Sequence, residues 1–207
     1  CAGRIGAPHL SASKQASFLK PPMPKDQPFA ANVSSSEVVF EGMIWNVLSE
    51  RFEFADEELT REFVQHPGAV AVLALNDQGE VLMIRQYRHP VREFLWEIPA
   101  GLLDVSGESK AEAAVRELVE ETGFQPQSIE PLIDFYTTPG GNSEMISVFL
   151  ARDLTFVGRP ETQEGEEREL VVDWVDFDDA VQSVLASEIK SPSAAFAIMA
   201  YALKQRG

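Results

Sequence analysis

The sequence predicts an α+β fold in which sheet is sandwiched between helices, and three observations predict it. The run Gly68-Ala-Val-Ala-Val-Leu-Ala-Leu75 is apolar on both faces and belongs in a central strand. A single strongly patterned helix is expected over residues 109–122, with strand-like stretches before and after it. Two amphipathic segments, 178–188 and 193–204, close the chain as helices.

Taken in order, residues 1–36 are rich in Ser, Ala, Pro and Lys with little periodicity, which favours an extended arm over packed structure. Residues 38–54 alternate between apolar and polar, as in Met43-Ile-Trp-Asn-Val-Leu48, and 62–64 continue the pattern. A small antiparallel sheet is therefore expected over 37–66, with an edge that needs cover. The larger domain is 67–207. Its central strand ends in an Asn76-Asp-Gln-Gly79 turn, and 81–85 is expected to return as the hairpin partner. Arg85 and Arg88, expected on one strand face, are candidates to hold phosphate. Strands are expected at 129–136 and 146–151, joined by Thr137-Thr-Pro-Gly-Gly-Asn-Ser-Glu144, whose glycines permit close backbone approach to a ligand. An acidic segment, Glu161-Thr-Gln-Glu-Gly-Glu-Glu-Arg-Glu169, precedes a strand at 170–175. Ala180, Val181, Val184 and Leu185 would turn the first closing helix toward the core. No internal repeat is present.

The chemistry concentrates in the acidic helix. Residues 109–122 contain no proline or glycine, Ser109 and Glu112 form a capping box, and Gly123 sits where a left-handed cap ends a helix. Helical spacing puts Glu117, Glu120 and Glu121 on one side, beside an apolar stripe of Ala111, Ala114, Val115 and Leu118. Carboxylates three and four residues apart repel one another, and Arg116, expected to turn toward Glu112, is the one cation near in sequence. A hard divalent ion, Mg²⁺ or Mn²⁺, supplies the missing charge, because it takes oxygen ligands and leaves positions for water and phosphate. Acidic runs are more often plain solvated faces, and here the flanking residues decide.

Composition sets the outer bounds. A length of 207 residues with 44% apolar content supports one catalytic-sized domain plus an appendage. A net charge of −16 argues against nucleic acid, so an anionic substrate must be met by local arginines and metal. Cys1 is the single cysteine, which fits a reducing compartment with cytoplasm as the default. The longest apolar run, 69–75, is too short for a bilayer span, and the first residues lack a signal-peptide core, so no membrane is expected.

With its flanks, the segment from Gly101 to Phe124 resembles the Nudix box, Gly-x5-Glu-x7-Arg-Glu-U-x-Glu-Glu-x-Gly-U, of hydrolases acting on a nucleoside diphosphate linked to another group. The defined positions fall on Gly101, Glu108, Arg116, Glu117, Leu118, Glu120, Glu121, Gly123 and Phe124. One departure is a surplus residue: six, rather than five, separate Gly101 from Glu108, in the loop before the helix. Gln86-Tyr-Arg88, Trp96-Glu-Ile-Pro-Ala-Gly-Leu-Leu-Asp104 and Pro139-Gly-Gly-Asn-Ser-Glu144 resemble in particular the ADP-ribose pyrophosphatases of the actinobacterial type.

The resemblance implies the Nudix α/β/α sandwich with an additional small N-terminal antiparallel sheet, and metal-dependent hydrolysis of ADP-ribose to AMP and ribose 5-phosphate. It implies Glu117 and Glu121 as metal ligands with the Ala100 carbonyl, and Glu120 as a further or outer ligand. The general base of such enzymes lies in the acidic segment, as Glu167 with Glu166 in reserve; Glu167 would also touch the metal. Substrate contacts carried over are Arg88, Glu97, Leu102, Thr138, Pro139, Gly140 and Glu144. Trp45 and Arg61 match residues of an N-terminal sheet that reaches across a homodimer with exchanged sheets to sandwich adenine. The competing expectations are a pyrophosphatase for another nucleoside diphosphate sugar or dinucleotide, and a Nudix-fold sensor that binds ADP-ribose without cleaving it.

Overall fold

In the computed structural model, which describes residues 23–159 and 170–206, the chain opens with an antiparallel meander. Its strands are β1 (Asn32–Glu41), β2 (Asn46–Phe54) and β3 (Glu57–Gln65). β1 begins inside the stretch expected to be an extended arm. Ala55 and Asp56, both at positive φ (50° and 66°), make the two-residue turn between β2 and β3, the backbone that matches hairpin twist.

Two further sheets follow. β4 (Ala69–Ala74), β7 (Ala100–Leu102), β8 (Phe124–Tyr136) and β9 (Met145–Phe156) form a four-stranded sheet in the order β7-β4-β9-β8. β5 (Glu80–Arg88), β6 (Glu93–Glu97) and β10 (Val171–Asp176) form a three-stranded sheet in the order β10-β5-β6. Helix α1 (Lys110–Thr122) covers one side, while α2 (Phe177–Leu185) and α3 (Pro192–Lys204) cover the other.

β4 is buried at every residue because it serves two cores. Ala69, Ala71, Leu73 and Leu75 pack with Met83, Ile98 and the helical Ala180, Val181, Ala194, Ala197 and Ile198. Val70, Val72 and Ala74 pack with Leu82, Phe149 and the α1 residues Ala113, Ala114 and Leu118. This is the helix–sheet–helix layering expected of the fold, with alternate side chains of one strand reaching opposite layers.

Four local expectations change. First, β5 is not the hairpin partner of β4: a single bridge, Leu75 to Val81, joins them. The reason is that β4 has two edges, and β7 and β9 take both. Second, Arg85 and Arg88 do not share a face, since residues an odd number apart in a strand point oppositely. Arg85 lies over the rings of Phe94 and Trp96, at 5.5 and 5.9 Å, whereas Arg88 reaches Glu97. Third, β8 starts directly after Gly123, earlier than the expected start at 129, and takes in Pro126 and Pro131 because β8 is an edge strand where proline is tolerated. Fourth, Leu185 remains 63% exposed at the end of α2, although Ala180 and Val181 are buried as expected.

Candidate active site

The geometry of α1 begins with its ends. The capping box forms in full: Glu112 N–H donates to Ser109 Oγ at 3.3 Å, and Ser109 N–H donates to Glu112 Oε2 at 2.9 Å. The Ser109 hydroxyl, and after it the Ser109 N–H, hold the Glu112 carboxyl below its usual value. Gly123 closes the helix at φ 79°, where a Cβ would press on Phe156 and the backbone of Gly158 and Arg159. The buried face is Ala113, Ala114 and Leu118, while Ala111 and Val115 of the expected stripe are half-buried beside Val119 and Ile129, lining an apolar groove.

Arg116 turns away from Glu112, which the cap occupies, and organises the acids instead. It donates through Nε and Nη2 to the two oxygens of Glu108, both at 3.0 Å, and through Nη1 to Glu117 Oε1 (2.6 Å) and Glu120 Oε2 (3.1 Å). Chiefly through Glu108, this raises the Arg116 pKa beyond an already cationic value. The surplus loop residue leaves this clamp intact: Gly107 turns at φ 85°, and Glu108 still reaches the guanidinium. Glu108 stood in the motif but not among the expected site residues, and the structure makes it the anchor of Arg116.

Burial pushes the Glu117 carboxyl up, with Arg116 opposing. Glu117 lies directly over Gly101, where a Cβ would collide with its carboxylate. Glu121, 9% exposed, accepts the Ala100 N–H through Oε2 at 3.0 Å. Ala100 is on β7, the outer strand of its sheet, and its N–H points away from β4. In an extended strand the C=O of a residue points to the same side as its N–H, so the Ala100 carbonyl faces the helix carboxylates. The donor set of Ala100, Glu117 and Glu121, with Glu120 exposed beside them, is all oxygen and suits a hard divalent ion. Among the described residues, no three His, Cys, Asp or Glu side chains already converge as a metal cage. Arg116 and the Ala100 N–H hold these carboxylates in the present arrangement.

Most of the other expected site residues fall into three groups. Arg88 donates through Nε and Nη2 to the oxygens of Glu97 at 3.0 and 2.8 Å, and Glu97 is 5% exposed. Arg61, Pro139 and Gly140 line one groove of about 420 Å³ between β3 and the 137–144 loop, and Thr138 O closes that loop by accepting from Gly141 and Asn142. Trp45 stands against His66, ring centroids 5.8 Å apart, and His66 Nε2 is 3.3 Å from Glu144 Oε1. Leu102 lies on β7 opposite Ala69. Glu166 and Glu167 lie outside the described residues. His66 and Thr137 were not foreseen, since a histidine before Pro-Gly and a threonine at a strand end carry no periodic signal.

Comparison with known proteins identifies the family. The NUDIX domain family model matches residues 65–196. The chain is 40% identical over 167 residues to an ADP-ribose pyrophosphatase of Mycobacterium tuberculosis, covering 80% of each chain. It is 38% identical over 173 residues to an ADP-ribose pyrophosphatase of Bacillus subtilis, covering 83% of this chain and 92% of that one. A solved structure described as an ADP compounds hydrolase superposes with a TM-score of 0.66 at 22% identity, over 88% of this chain and 99% of that one, a likeness of fold. With the box residues Gly101, Glu108, Arg116, Glu117 and Glu121 each given a structural task, and with relatives matched over most of their length, the chain belongs to the Nudix hydrolase family.

Proposed function

We propose that the protein hydrolyses the pyrophosphate bond of ADP-ribose, releasing AMP and ribose 5-phosphate, with Mg²⁺ or Mn²⁺ on the helix carboxylates. The observation that carries this reading is the meeting of Glu117 and Glu121 with Gly101 and Ala100 at the free edge of β7. The names of the two relatives support the choice of substrate. Glu117, Glu121 and the Ala100 carbonyl would hold a divalent ion there, and its chemistry would be Lewis-acid activation of the diphosphate and of an attacking water. The chain's own part is to orient the diphosphate. Arg88, fixed by Glu97, presents a cation beside the box, and Arg61 with the Pro139-Gly140 turn lines a groove for the nucleoside or ribose end. Glu167, or Glu166 beside it, takes the proton as general base.

Residues 67–207 are the catalytic domain in this reading, and 37–66 the dimerisation region. Exposed Val38, Val39, Phe40, Met43 and Ile44 on the first hairpin support a homodimer with exchanged N-terminal sheets. A single cysteine in 207 residues supports a reducing, cytoplasmic setting. No helix among the described residues is long and apolar enough to cross a membrane.

The test compares turnover of ADP-ribose, a GDP-sugar and a diadenosine polyphosphate with Mg²⁺ and with Mn²⁺. Preferential AMP release from ADP-ribose is expected, and preference for a rival would replace it as substrate. Binding without cleavage under every divalent metal would make the protein a sensor. Glu166→Gln and Glu167→Gln, assayed separately, identify the base as the one whose loss reaches about 10²-fold or more.

A further inference from the structure

Between β3 and β4 the chain runs His66-Pro67-Gly68, and this tripeptide folds on itself. Proline keeps His66 extended, and Gly68, at φ 94°, turns its N–H back to donate to His66 Nδ1 at 3.0 Å. A ring nitrogen that accepts a backbone N–H carries no proton, so the imidazole is neutral with its one proton on Nε2. Nε2 lies 3.3 Å from Glu144 Oε1, on a side chain 3% exposed. Glu144 Oε2 accepts the Thr137 hydroxyl at 2.6 Å, so one carboxylate oxygen is hydrogen-bonded and the other is approached by His66 from the protein side. Each oxygen has a further lone-pair direction, and a side chain 21% exposed leaves the carboxylate open on its outer side.

The same residue fastens the meander to the loop. His66 N–H donates to Ser143 Oγ at 2.9 Å, next to Val64 N–H to Gly141 O (2.9 Å) and Ser143 N–H to Val64 O (3.0 Å), and Trp45 lies across the ring face.

We propose that His66 is a specificity-determining positioning residue: its Nε2–H and the Thr137 hydroxyl aim Glu144 outward as an acceptor for sugar hydroxyls, and its ring backs Trp45. The assignment rests on the reading that a ribose-bearing nucleoside diphosphate is the substrate. A histidine needed only for packing would be served by any side chain that satisfies Gly68. This one sets its remaining ring nitrogen beside a partly exposed carboxylate on a glycine-rich loop.

Two substitutions separate the functions of the ring. Asparagine at 66 places an amide oxygen near Nδ1 and keeps the Gly68 bond but falls short of Glu144. Glutamine places an amide donor near Nε2. With ADP-ribose and Mg²⁺, His66→Asn is expected to raise KM about tenfold, the scale of losing one hydrogen bond to a charged group, with kcat within about twofold. His66→Gln is expected to recover most of that rise. The ¹⁵N spectrum of the wild-type imidazole should show the Nε2-protonated neutral form. The positioning role is overturned if both variants leave KM unchanged, if the loss falls on kcat, if glutamine does no better than asparagine, or if Nδ1 carries the proton. Failure of the substrate reading appears separately, as absence of AMP release from ADP-ribose by the wild type.

Discussion

Glu121 Oε2 accepts the Ala100 N–H at 3.0 Å, and this bond stitches the last turn of α1 to the outer edge of β7. Glu121→Gln keeps an oxygen able to accept that bond and removes the charge. We expect metal-dependent turnover to fall by more than about 100-fold, the upper range for loss of even an outer partner of a metal site. Circular dichroism and melting should show an intact fold; a variant with near-normal turnover would move the metal away from this helix.

Gly101→Ala tests the same site from the strand. The added Cβ meets the end of the Glu117 side chain, which can swing aside, so stability should change by less than about 1 kcal/mol. Turnover should nonetheless drop at least about tenfold, because a carboxylate displaced by a methyl group's width no longer meets its ion. Denaturant titration and steady-state kinetics on one preparation measure both quantities.

Arg116→Ala removes the fork on Glu108 and the contacts to Glu117 and Glu120 together. Since Glu108 and Glu117 are largely buried, a loss of about 1–3 kcal/mol is expected, measured as a lower urea midpoint. Arg116→Lys should recover only part of it, because an ammonium cannot form the two-pronged contact to Glu108.

The capping box has a signed pH dependence. The Glu112 carboxyl is depressed in the folded protein, so its contribution is present above the unfolded carboxylate value and is lost as pH falls through the folded one. The stability gap between wild type and Glu112→Gln should therefore be seen near neutrality and close in acid. Ser109→Ala should cost about 1 kcal/mol at pH 7, read from thermal melts.

Replacing Val39 and Phe40, 52% and 63% exposed on β1, with aspartate should shift sedimentation toward the monomer if the meander forms the subunit interface. An unchanged mass would exclude that face.

Much of the fold was legible because local and tertiary demands agree there. The cap at Ser109 and Glu112, the Gly123 stop and the two-faced apolar run of β4 each appear where the residues require them. Pairing was less legible. Nothing within residues 76–81 reveals that β4 has already filled both edges, so the sequence alone makes the nearest strand look like its partner. The motif located the acids, but their arrangement depends on Arg116, whose reach to Glu108 crosses a loop that helical spacing cannot describe. His66 carries no signal in the sequence because its approach to Glu144 joins residues far apart along the chain.

The two prolines of β8 have a consequence beyond being tolerated. Proline has no N–H to offer, and Pro126 and Pro131, five residues apart, face opposite sides of β8, so one of them leaves a gap in the row of donors at the open margin of the four-stranded sheet, and the chain is irregular between Pro131 and Ile133. A stray strand arriving there finds an interrupted template. The margin therefore discourages runaway polymerisation, leaving the greasy first hairpin as the sticky surface through which self-association would proceed.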